Sequence, residues 1–150
     1  MAKSGINIEL PKFQIDKLNR DLNKYSKHKN DEISEAVELS LRRTLSDAKS
    51  DAGRISSGLL TSGYVRYFKS KLSGLVWFNK RYAPYVEFGT GDRVFKGSSF
   101  NFTPDIRKYA SQFKKNKRHK GVIARPYLFP AFIKNTEKLT EQIQKLLSKK

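Results

Sequence analysis

The chain has 150 residues, 37% of them hydrophobic and 12% aromatic, with no cysteine and a formal net charge of +17 from 31 Lys and Arg against 14 Asp and Glu. That length predicts one domain, 1–150, hiding about 70% of its unfolded surface in a single core. The missing cysteines exclude disulfides, thiolate metal sites and a cysteine nucleophile, the apolar runs fall well short of the ~20 residues that span a bilayer, and the charge favours an anionic partner or an acidic neighbouring subunit.

The opening MAKSGINIEL has neither a signal-peptide core nor a glycine at position 2, so a soluble protein with no export address and no membrane partner is expected. Ile6, Ile8 and Leu10 alternate with Asn7 and Glu9, the period-two pattern of a short strand with one buried face. Pro11 permits a helix start, and Ile15, Leu18, Leu22 and Tyr25 recur at helical spacing. Asn30 is expected to cap a second, longer helix, with Asp31 and Glu32 complementing its N-terminal dipole. Ile33, Val37, Leu41, Leu45, Ala48 and Ala52 form its apolar stripe, and Gly53 its stop.

The period then changes. SSGLLTSGY, residues 56–64, is turn-rich; after it Tyr64, Arg66 and Phe68 alternate with Val65, Tyr67 and Lys69. LVWFN follows across a Ser73-Gly74 turn signal, which predicts an antiparallel hairpin. YAPYVEFG suits one or two packed helical turns after Pro84, broken by the glycines at 89 and 91. In residues 92–121, Thr103 and Pro104 open a short helix bearing Ile106, Tyr109, Ala110 and Phe113; the segment as a whole reads as an inserted, partly mobile loop. Pro130 opens a last helix in which Phe132, Leu139, Ile143 and Leu146 face inward, Lys134, Glu137, Lys138, Glu141 and Lys145 stay wet, and Lys149 and Lys150 favour the C-terminal dipole. The fold class expected is α+β: a small antiparallel β-sheet packed against a long helix, with a C-terminal helix and an inserted basic loop.

Charge is uneven along the chain. Residues 1–91 carry 16 basic and 10 acidic side chains, net +6, and residues 92–150 carry 15 and 4, net +11. The excess peaks in KKNKRHK, residues 114–120, where Lys114, Lys115, Lys117, Arg118 and Lys120 read either as a solvated run or as contacts to DNA phosphates or an acidic partner.

Catalytic constellations are not evident in the sequence. His28 and His119 sit in lysine-rich surroundings with no second ligand at zinc-binding spacing. Gly58 and Gly63 match the glycines of a phosphate loop, but Tyr64 and Val65 stand where Lys and Ser or Thr are required. Glu87, the only acid between Asp51 and Asp92, lies among aromatics without a second carboxylate beside it. A buried carboxylate is normally paired, and the partners available to it are backbone N–H groups, Arg81 or Arg125. No catalytic residue, cofactor or metal is expected.

Two blocks dense in aromatics and in residues that fix backbone geometry stand out: RYAPYVEFGTG, residues 81–91, and ARPYLFPAF, residues 124–132. At Tyr82, Ala83, Tyr85, Val86, Glu87, Gly89 and Thr90, then Arg125, Pro126, Tyr127, Leu128, Pro130 and Ala131, the chain resembles the head-tail joining proteins of long-tailed bacteriophages, a group including neck, tail-completion and minor tail protein Z relatives. A Thr-Gly-x-Leu turn of that family is met in weakened form by Ser57, Gly58 and Leu59 or Leu60, and its preceding Pro-Val-Asp is replaced by residues 53–56. The resemblance covers roughly residues 30–148.

It implies a non-enzymatic virion protein at the head-tail junction, present in the host cytoplasm during assembly. Its partners would be copies of itself in a ring, though isolated protein can stay monomeric until a template closes the ring, together with neighbouring head-completion and tail proteins. The basic loop would line a lumen crossed by DNA or dock on an acidic ring. For Tyr82, Tyr85, Phe88, Tyr127 and Phe129 the main expectation is core packing. Two alternatives from other classes stay open: a small basic protein binding nucleic acid without sequence preference, and an enzyme using Glu87.

Overall fold

The computed structural model describes residues 8–9, 16–17, 27–96, 98, 100–115 and 121–148. Two helices and a small sheet carry the architecture. Helix α1, Lys27–Gly53, presents Ile33, Val37, Leu41, Ala48 and Ala52 as a buried stripe with Leu45 packed at its edge, as the helical spacing predicts. It starts four residues earlier than expected, so Asn30 lies within its first turn rather than at its cap. Asp31 and Glu32 consequently stand beyond that first turn, exposed, and not against the helix N-terminus. The Lys and His at 27 and 28 offer nothing that opposes helix, so the helix runs past the capping signal. Of the helix expected over Pro11 to Tyr25, only Asp16 and Lys17 are described, and both are helical; its apolar stripe lies outside the described residues.

A single helical turn, α2 (Ser57–Leu60), buries Leu59. The hairpin follows as β2 (Gly63–Phe68) and β3 (Ser73–Phe78), and a third antiparallel strand, β1 (Ile8–Glu9), lies on the far side of β3, giving the order β1-β3-β2. Register places Tyr64 opposite Trp77, Arg66 opposite Leu75, and Ile8 opposite Val76. The reversal falls at Lys69–Lys71, a 3-10 turn ending on Leu72 in the left-handed region at φ 45°, and not at Ser73-Gly74. Gly74 belongs to β3 because the sheet meets α1 there: a Cβ at that position would overlap Leu41 and the Arg66 carbonyl. On the outer face Tyr64 stacks on Trp77 with ring centroids 5.6 Å apart, and the Arg66 guanidinium lies 5.0 Å above the Phe68 ring.

Helix α3 (Ala83–Phe88), α4 (Pro104–Ala110) and two 3-10 turns, Gly91–Arg93 and Ser111–Lys115, lead to the C-terminal helix α5, Leu128–Ser148. The described part of the 92–121 segment is substantially folded, since Val94, Phe102 and Ala110 are buried in the common core. Helix α5 begins two residues before Pro130, which is tolerated inside the first turn because the N–H it lacks would have no partner within the helix. Phe132, Leu139 and Ile143 are buried with Leu146 against them, while Lys134, Glu137, Lys138, Glu141 and Lys145 are exposed. Lys149 and Lys150 lie outside the described residues.

Helices α1 and α5 pack on each other, and a polar cluster fixes their alignment. Buried Asn135 donates from Nδ2 to Asp47 Oδ2 (3.0 Å) and to the Ala131 carbonyl (2.9 Å), and its own carbonyl accepts from Ser40 Oγ (3.1 Å). The Asn135 bond, with help from Lys134 at 3.1 Å, holds the Asp47 carboxyl below its usual pKa of 3.8. Replacing Asn135 by Ala is expected to destabilise the protein by about 1–3 kcal/mol, because the Asp47 carboxylate loses a donor at the helix contact. That corresponds to about 2–4 °C of Tm per kcal/mol in a chain of this size. An NMR titration of the variant should show the Asp47 pKa moved back up toward its ordinary value.

Candidate structural site at the junction of the two signature blocks

Glu87 is fully buried and is the only acid among the buried polar and charged residues described. Its partners are backbone. Oε2 accepts N–H bonds from Tyr127 (2.9 Å) and Leu128 (3.0 Å), and Oε1 accepts one from Phe129 (2.9 Å). Arg81 and Arg125, the side-chain candidates, are both exposed, so the carboxylate is satisfied without either.

These three donors are the unsatisfied N–H groups at the start of α5. A helix leaves its first four N–H groups without intrahelical acceptors; here the first three belong to residues 127–129 and the fourth residue, Pro130, has none to satisfy. One carboxylate from a separate helix thus completes the whole N-terminus, and its negative charge lies at the positive end of the dipole. Burial nonetheless dominates: desolvation pushes the Glu87 pKa up from 4.5 to about 7, against the three N–H bonds that favour the anion.

The surrounding backbone fastens the blocks together on both sides of this contact. Arg125 N donates to the Val86 carbonyl at 2.8 Å, Thr90 N to the Val122 carbonyl at 3.0 Å, and Val122 N to Thr90 Oγ1 at 2.8 Å. Gly89, between Glu87 and Thr90, adopts φ +77° and ψ −179°, a region essentially restricted to glycine. It also has no room for a side chain, since a Cβ would lie 2.7 Å from the carbonyl oxygens of Arg93 and Val122.

Aromatic packing surrounds this joint. Phe88 is the hub, with ring centroids 5.5 Å from Phe102, 5.6 Å from Phe129, 5.9 Å from Tyr109 and Phe113 and 6.4 Å from Phe95. Phe88, Tyr127 and Phe129 are buried as expected, but Tyr82 and Tyr85 are 39% and 44% exposed. Tyr82 instead sets its hydroxyl 3.3 Å from Ser56 Oγ, and Tyr85 meets Phe113 edge-on at 5.2 Å. The Tyr127 ring stands edge-on to Phe78 at 4.8 Å, and its hydroxyl has no hydrogen-bond partner among the described residues. Burial first, then the charge of Glu87, raises that phenol well above its ordinary pKa.

Of the basic run, Lys114 is exposed at the end of a 3-10 turn, and Lys115 is described only through its backbone. Lys117, Arg118, Lys120 and His119 lie outside the described residues. His28 is in α1, and among the described residues no cluster of His, Cys, Asp or Glu could hold a metal ion. No helix among the described residues is long and apolar enough to cross a membrane. Ile55, Arg93 and Ile123 were not signalled by the motifs, yet they line a cleft beside the junction together with Val86, Val122 and Arg125. Neither a family model, nor a curated protein, nor a solved structure matches the chain.

Replacing Glu87 by Gln puts an amide NH2 where a second acceptor is needed and strands one buried N–H, for an expected loss of about 1–3 kcal/mol below pH 4.5. Because the folded-state pKa is raised, the Glu87 contribution is fully present below the unfolded value of 4.5 and is lost as pH rises through about 7. Denaturant melts should therefore show the advantage of Glu over Gln shrinking between pH 4.5 and 7. A separate test addresses the backbone: Gly89→Ala should cost about 1–3 kcal/mol from the disfavoured φ alone, with more from the two carbonyls, read as a lower Tm.

Proposed function

We propose that the protein is a structural component of a tailed phage or prophage virion, part of the neck or tail-completion ring that joins capsid to tail. The observation that carries this reading is that the two blocks resembling head-tail joining proteins form one physical unit. Glu87 of the first accepts the three N–H groups of residues 127–129 of the second, and the Arg125 N–H bonds Val86. A signature used this way specifies a shape. Every contact made by its one buried acid is to backbone, and its lone pairs are directed into a helix terminus rather than toward solvent.

The shape suits contact with other subunits. The junction leaves Tyr82, Tyr85, Val122 and Ile123 partly exposed around a core held by its aromatics. Tyrosines offer large contact area with few rotatable bonds, a property favoured at protein interfaces. Copies arranged head to tail would close into a ring around the DNA path, and the basic run at 114–120 would face either that path or an acidic neighbour.

Particles assembled without the protein should appear in electron micrographs as separate filled heads and tails, and supplying it in trans should restore joined virions; normally joined particles in its absence would overturn the reading. The net charge of +17 favours a second reading, sequence-independent binding of nucleic acid. Tight duplex binding by the isolated protein, falling steeply with salt, would support it. Negligible binding at physiological salt, together with ring formation, would support the first.

A further inference from the structure

Beside the junction lies a cleft of about 260 Å³ lined by Ile55, Val86, Arg93, Val122, Ile123 and Arg125. Four of these side chains are aliphatic and β-branched, and the two that are adjacent on the flank of the second block, Val122 and Ile123, are 55% and 42% exposed. The other two are arginines, and among the described residues neither forms an ion pair. Their stems contribute to an apolar wall, and a guanidinium head carried on such a stem is suited to carboxylates, which arginine binds through two parallel N–H bonds.

The walls are held in place. Arg125 and Val86 are joined through backbone at 2.8 Å, and Val122 is tied to Thr90 by bonds of 3.0 and 2.8 Å, so the cleft exists before anything enters it. A preorganised site avoids part of the ordering cost of binding. Both arginines belong to the more basic part of the chain, residues 92–150, which carries a net charge of +11.

We propose that this cleft docks an acidic segment of a partner protein, with one aliphatic or aromatic side chain seated among Ile55, Val86, Val122 and Ile123 and flanking carboxylates on Arg93 and Arg125. Nucleic acid fits less well. Phosphates would use the arginines but leave the aliphatic floor bare, and the lining has no aromatic ring on which a base could stack. The inference rests on the reading of the protein as an assembly joint and names the chemistry of what it joins.

The test is a fluorescence-anisotropy titration of the whole protein with a labelled acidic peptide, EELEE, and with EESEE, in which serine replaces the central leucine. Burial of the leucine is expected to make the first peptide bind about tenfold or more tightly. Arg93→Gln with Arg125→Gln should abolish most of the binding, whereas Lys71→Gln with Lys145→Gln, which removes the same charge from exposed positions elsewhere, should leave it within about twofold, a change of about 0.4 kcal/mol or less. Equal affinity for both peptides, equal loss from both double variants, or displacement of EELEE by a single-stranded or duplex oligonucleotide at matched charge would overturn the proposal. The peptide comparison needs no variant, so it stands even if a substitution prevents folding. Particle imaging reads head-tail joining independently, so a flat titration with joined particles removes the acidic segment alone, and unchanged joining in the protein's absence removes the joint itself.

Discussion

The contact between the Glu87 carboxylate and the first three N–H groups of α5 is the constraint on which the rest of the structure depends. A helix of 21 residues ending inside a core, with its N–H groups facing no acceptor, would carry a penalty of about 1–3 kcal/mol for each. Glu87 removes that penalty in one stroke, but only if α3 is held in a single position. Gly89 and the bonds on either side of it supply that position, and the carboxylate is fully under cover in the core. The elevated pKa is the cost of that cover, since burial opposes the ionised form that the helix end favours.

Two layers of restraint follow from this contact. Along α5, Asn135 anchors the helix to α1 through Asp47 and Ser40, so the helix is fixed at its start by Glu87 and farther along by α1. Around α3, the aromatic hub draws in Phe95, Phe102, Tyr109 and Phe113 from the 92–121 segment. An aromatic side chain buries a large area and gains further from edge-to-face geometry, which explains how a segment with a basic run and few regular elements is still tied to the core. The acidic-segment cleft is a by-product of the same fastening, because its walls are the strands of chain that hold the two blocks together.

Much of the fold was legible locally. The stripe of Ile33 to Ala52, the alternation at Tyr64 to Phe68 and the inward face of α5 each follow from periodicities of 3.6 or 2 that a window of a dozen residues contains, and the Thr103-Pro104 helix start from a local start signal. Misreadings came where a local signal competed with a tertiary one. Asn30 is a good cap, but nothing before it stops the helix; Ser73-Gly74 is a good turn, but Gly74 is required where the sheet touches Leu41. Tyr82 and Tyr85 belong to an aromatic block, yet Tyr82 only precedes the helix, and a helix of six residues has one side to bury, which Ala83, Pro84, Glu87 and Phe88 occupy.

By itself the sequence determined the class of fold, the positions of the long helices and the hairpin, the two blocks, and that Glu87 would need partners if buried. Only the tertiary structure decided which partners. Its three donors are about forty residues away in the chain, and no propensity or periodicity reaches that far. They become neighbours only when α3 and α5 are brought together by the aromatic core. For the same reason Arg93, near the start of the 92–121 segment, and Arg125, just past its end, share a cleft that neither motif announces. Local patterns set what each segment can become, and the need to satisfy every buried polar group sets how the segments meet.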